Sequence, residues 1–312
     1  MKTHPLIRFK NSLPKIHAWA NDNFPPEVDL VTSYINGGGC LYEACGEFFN
    51  IGMREMGAAL TQATSKITYS SQQKFSSSIS KLMISDIILV SRLKGTHHKE
   101  PAALDDFSHK MLCLLACGQY PLIEPCYTEL IIGLRDGYGI QDGHDLPIGT
   151  TLRYAAFGLT IIGDWLGKPL DLDKHALPRD PAWGQLVAHW REPDPEKLLP
   201  ILLDACDTHV ERIALNSREV DSGNFEFGSP FEAVYPAEIL AIKNLRLSLG
   251  LKTPFIDHPL MKSPYAMLTL PPNTPLEHDE LLEQFLKAAC RYNPEAVPEG
   301  LYEAVRETGA IR

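Results

Sequence analysis

Nothing in the 312-residue sequence is long and apolar enough to cross a bilayer. The longest apolar runs, such as Ile84 to Val90, are interrupted by Asp86 and fall well short of the roughly 20 residues that a span needs. The opening MKTHPLIRFKNSLPK is polar and broken by proline, without the hydrophobic stretch of a signal peptide. These absences lead to the expectation of a cytoplasmic protein with no membrane partner. Period-two alternation is almost missing too, hinted at only near Phe225–Phe227 and Met267–Leu270, so a sheet is not expected beyond a small hairpin. No repeat of fixed period recurs, which argues against a solenoid.

Site motifs are equally sparse. Asn36-Gly37-Gly38-Gly39 is not followed by Lys-Ser/Thr, and no GxGxxG occurs, so it reads as a turn rather than a phosphate loop. Glu43 and Glu47 share a helix spacing but lack the Glu-x-x-His partners of a bundle metal site. The Asp136, Asp142 and Asp145 loop does not follow the calcium-loop spacing. His97-His98 reads as a solvated pair. The seven cysteines are odd in number and scattered through apolar segments, as reduced, buried thiols are. Cys113 and Cys117 lack the second pair that would complete a zinc set. No cofactor and no metal is expected.

Charge excludes a further class. Residues 1–156 carry 14 Lys/Arg against 15 Asp/Glu, and residues 157–312 carry 15 against 24. The net of −10 is therefore concentrated in the C-terminal half, opposite to what a nucleic-acid binder shows. An acidic half suits a basic partner and also serves plain solubility.

What the sequence does have is helical periodicity. Apolar stripes mark helices at Cys40 to about Leu60, Gln72–Leu93, Pro101–Cys117, Leu122–Leu134, Pro147–Leu166, Trp183–Trp190, Asp279–Cys290 and Leu301–Glu307. Asp194-Pro195 starts another helix, with Pro200 awkward inside it. The clearest signals run from Phe225 to Leu270. Pro236 suits a helix start, Ile239, Ile242, Leu245 and Leu249 form one face, and Gly250 is a natural stop. The expected fold is mainly α, an irregular multi-helix bundle of about eight to ten helices with at most a small β-hairpin. The expected organisation is an irregular segment at 1–35, a helical part at 36–140 and an acidic helical part at 147–312, with 36–312 compatible with one continuous domain.

Two function classes follow from the residues. A hydrolase would use His144 with Asp142 or Asp145, or His258 with Asp257; Asp257 two residues before Pro259 reads better as a cap or turn residue. Cys206-Asp207-x-His209 offers a thiol and an imidazole but no recognisable oxyanion element. A helical scaffold is the other class. A helix face buried in a monomer reads the same as one buried in a homodimer, so both remain open.

Within GSPFEAVYPAEILAIKNLRLSLGLKTPFIDHPLMKSPYAMLTLPP, Tyr235-Pro236-Ala237-Glu238, then Leu245-Arg246, then Asp257-His258-Pro259-Leu260 resemble bacterial immunity proteins encoded beside effectors of contact-dependent or type VI secretion. The resemblance covers the C-terminal third. It implies a non-enzymatic protein that binds and occludes a cognate toxin, nucleases being one such class. Acidic side chains in loops or at helix ends would meet a basic cleft: Asp171, Asp173, Asp180, Glu219, Asp221, Glu226 and Glu232 are the candidates.

Overall fold

The computed structural model describes residues 5–21, 28–93, 103–135 and 151–312. Among them the chain is all-helical, with no strand; an isolated parallel bridge joins Ile213 to Phe227. The expected hairpin therefore does not form there. His97, His98, Asp136, Asp142, His144 and Asp145 lie outside the described residues.

Helices are more numerous than expected because the prolines of the N-terminal segment punctuate rather than disrupt. Helices α1 (Pro5–Ser12), α2 (Lys15–Asn21) and α3 (Val28–Ile35) occupy the stretch read as irregular. Pro5 opens α1, where its missing N–H costs nothing, and Pro14 falls between α1 and α2. Two helices of 25 residues follow, α4 (Leu41–Ser65) and α5 (Tyr69–Leu93). The three-residue link Lys66–Thr68 turns α5 back along α4. Gly52 lets them approach: a Cβ there would lie 3.0 Å from Leu82 Cδ2 and 3.1 Å from the Ser78 carbonyl. Helices α2 and α3 cover α4.

Helix α5 is the buried axis, packed on α4, on α6 (Leu104–Ala116) and on α7 (Ile123–Arg135). From Phe75 to Ser91 all its residues but Ser77 are buried. Helix α6 carries α8 (Leu152–Leu166) and α13 (Ala237–Ser248). Around them lie α9 (Pro181–His189), α10 (Pro195–Glu211), the short α11 (Ser217–Asp221) and α12 (Pro230–Val234), then α14 (Glu280–Tyr292) and α15 (Leu301–Glu307). The buried apolar side chains from Phe9 to Ile311 join in one cluster. Trp183 stacks on Phe157 at 4.8 Å, tying α9 to α8, whereas Trp165 packs on Tyr120.

Helix limits follow local chemistry. The Asp194 carboxylate accepts from Glu196 N and caps α10, which runs unbroken through Pro200. Gly167 ends α8 in the left-handed conformation, with Lys168 N donating to the Gly163 carbonyl. The stretch 249–279 holds only a 3-10 turn at Tyr265–Met267, and side chains from helices add to its backbone turns. Asn244 Nδ2 lies at hydrogen-bond distance from the carbonyls of Leu115, Ala116 and Leu270. The fully buried Arg246 donates to those of Trp190, Glu192 and Lys252.

Candidate functional site

Arg212 follows the last residue of α10, and its fork reaches two carboxylates. Nη1 donates to Glu226 Oε1 at 2.7 Å and Nη2 to Asp180 Oδ2 at 3.0 Å. Asp180 also caps α9, its Oδ1 accepting from Ala182 N at 2.9 Å. Arg153 on α8 sits 3.9 Å from Asp180 and donates to the Gly223 carbonyl at 3.3 Å. The Ile213–Phe227 bridge closes the loop, with Ala214 N donating to the Phe227 carbonyl and Phe227 N to the Arg212 carbonyl. Two guanidinium groups thus bolt the 223–227 loop and the start of α9 onto α8 and α10.

This frame collects much of the acidic set. Asp180 and Glu226 share Arg212, and their side chains are 5% and 0% exposed. Glu219 pairs with Arg8 at 2.8 Å and accepts from Leu215 N, fastening α1 to α11. Glu232 closes a capping box with Ser229 at the head of α12. These four carboxylates are committed inside the protein. Asp171, Asp173 and Asp221 stand in solvent: Asp171 caps Lys174 N, Asp173 faces Arg179 at 2.6 Å, and Asp221 ends α11. Asp221 is two residues from the Gly223 carbonyl that Arg153 holds.

Electrostatics separates the two groups. Burial pushes the Glu226 carboxyl up to about 7, against the pull of Arg212 and Arg153. The direction holds despite the tight ion pair, because Arg212 is divided between two carboxylates and Glu226 Oε2 has no partner. Burial and then Asp106 raise Glu232 to about 7 as well. Hydrogen bonding to Arg179 holds the exposed Asp173 below its ordinary value.

The catalytic candidates resolve differently. Asp257 is exposed and pairs with Lys262, so the adjacent Asp257–His258 pair does not form. His258 turns inward, its Nε2 3.3 Å from Asp207 Oδ1 and its Nδ1 accepting from Leu260 N at 3.2 Å. Both ring nitrogens are engaged, and burial lowers its pKa against the opposing effect of Asp207. His209 is sealed: Nδ1 meets Glu238 Oε1 at 2.7 Å, Nε2 meets the Ala233 carbonyl, and the ring stacks on Phe227. Neither His209 nor Glu238 exposes any side chain. Burial drives the Cys206 thiol upward, away from the thiolate that nucleophilic chemistry needs. Among the described residues no group of three or more His, Cys, Asp and Glu is placed to hold a metal ion.

No protein family, curated protein or solved structure matches this chain.

Two surface features escape a loop-centred reading of the sequence. Glu196, Asp204, Asp207 and Glu211 are exposed on α10, and at 100° per residue they fall within an arc of about 80°. Their spacing of eight, three and four was the available signal. Phe255 is 80% exposed, the most exposed of the large hydrophobics among the described residues. No sequence pattern marks it, since Ile256 beside it is buried.

Proposed function

We propose that the protein is an immunity protein that binds and neutralises a cognate, basic effector toxin by steric and electrostatic occlusion. The observation that carries the reading is the Arg212–Asp180–Glu226 clamp with its Arg153 buttress. It joins the start of α9 to the 223–227 loop, beside which stand Asp221, two residues from the held Gly223, and Asp173, paired with Arg179 next to Asp180. Carboxylates held this way lose little freedom on binding. Placed at a rim they speed encounter with a cationic cleft and discriminate among partners. The likeness around Tyr235–Glu238 and Asp257–Leu260 supports the same reading.

The test is capture of the product of the adjacent gene, followed by calorimetry and association kinetics. A tight, salt-sensitive complex with a basic toxin is expected. Asp171→Lys/Asp173→Lys/Asp221→Lys should slow association and flatten its salt dependence, while melting with the wild-type transition. An unchanged association rate removes these carboxylates from the interface.

A further inference from the structure

The segment from Gly250 to Pro259 forms a strap beside α10. Arg246 fixes one end by donating to the Lys252 carbonyl together with those of Trp190 and Glu192, which lie just before α10 begins. The other end is fixed where His258 meets Asp207, twelve residues into α10. Six residues of extended chain cover about 20 Å, and the stretch of α10 from its start to Asp207 is about 18 Å long. The strap therefore runs along α10 in the same direction. Ile256 and His258 are buried, while Phe255 and Asp257 point out.

Three features meet there. The acidic arc of α10 meets one end of the strap, where Asp207 contacts His258. At the other end Lys243, Leu247, Leu251 and Lys252 line an open groove of about 520 Å³. Phe255 lies between these two ends along the chain. An aromatic ring that exposed does little for the fold of its own chain, and aromatic side chains are what buried interface centres are enriched in.

We infer that this face is the contact of a two-fold homodimer centred on Phe255. The face is self-complementary in charge. A two-fold contact presents one patch to itself, so acid and base must lie side by side on either side of the axis. Here a Lys-rimmed groove and a row of carboxylates do so. An axis through Phe255 sets the two straps antiparallel. The second copy's Lys252 then lies over the Asp204–Asp207–Glu211 end of α10, and the reciprocal contact follows by symmetry. At a net charge of −10 two copies repel overall, so they associate only where local charges oppose. This contact is independent of the toxin-binding reading and uses other residues.

Sedimentation equilibrium of the full chain across the micromolar range tests it without any toxin. The wild type should sediment as a dimer. Phe255→Asp, at a solvent-facing position, should give a monomer with unchanged circular dichroism and melting. Lys243→Glu/Lys252→Glu should be monomeric alone, as should Asp204→Lys/Glu211→Lys, which spares Asp207 because it holds His258. Mixed together, the two charge variants should form a heterodimer, because both paired contacts then set opposite charges face to face. A wild type that stays monomeric overturns the inference. So does a dimer that survives Phe255→Asp, or charge variants that fail to recombine.

Discussion

Glu226 offers a quantitative check on the clamp that organises the acidic end. Its side chain is fully buried, one oxygen bonds Arg212 and the other has no partner. Burial raises its pKa to about 7, against about 4.3 in an unfolded chain. The folded protein therefore holds this proton more tightly than the unfolded one. Stability from the group is complete below the ordinary glutamate range and is lost as pH rises through about 7. At about 1.36 kcal/mol for each pH unit between the two values, the full loss is roughly 4 kcal/mol.

Glu226→Gln keeps an oxygen for Arg212 and removes the titration. Urea unfolding of both proteins at about pH 5 and about pH 8 isolates the group, because Glu232 and every other titrating residue is common to both. The variant should match the wild type within about 1 kcal/mol at the lower pH. It should gain on the wild type by about 2–3 kcal/mol at the higher one. A difference constant to within about 0.5 kcal/mol would mean that Glu226 is an ordinary ionised partner of Arg212, and the argument from burial would fail.

Other interior groups give sharper losses. Arg246→Leu strips the donors from three carbonyls and should cost about 4 kcal/mol in urea unfolding, each buried acceptor left bare costing about 1–3 kcal/mol; a loss below about 1 kcal/mol would show that water replaces the guanidinium. Lys81, 3% exposed within α5, bridges Glu55 at 2.6 Å and Asp279, so Lys81→Met should cost about 3–5 kcal/mol by leaving carboxylates unpaired, and a neutral result would count against that pairing. Gly118 has a φ of +71°, and a Cβ there would lie 2.1 Å from the Pro271 carbonyl oxygen. Gly118→Ala should therefore lower stability by more than about 2 kcal/mol in the same assay, and a melting temperature equal to wild type would contradict the close approach.

Where the chain's own chemistry decides the outcome locally, the sequence is readable. Asp194-Pro195 starts α10, Gly167 stops α8, and the stripe from Ile239 to Leu245 packs inward on α13. The misreadings have a common cause in tertiary pairing. Glu226 and Asp180 read as surface acids until Arg212 arrives from residues distant in the chain. Asp257-His258 reads as a pair, yet neighbours in an extended segment point opposite ways, and each takes a different partner. Lys81 carries no reading from the sequence at all, because its ion pair with Asp279 comes from nearly two hundred residues away.

The described residues form no sheet, yet their long non-helical stretches must still satisfy their backbone. Backbone turns are joined by side-chain tethers: Asn244 and Arg246 from α13, Gln72 and Gln73 from α5, and Tyr235, between α12 and α13, onto the Leu268 carbonyl. Each tether pins one point of a loop to the helical frame. That has a consequence for recognition. The strap carrying Phe255 and the loop beside Asp221 are already in place before any partner arrives, so binding there need not order them first. A fold of this kind presents preformed surfaces, and charge changes on them should act on association rates more than on folding.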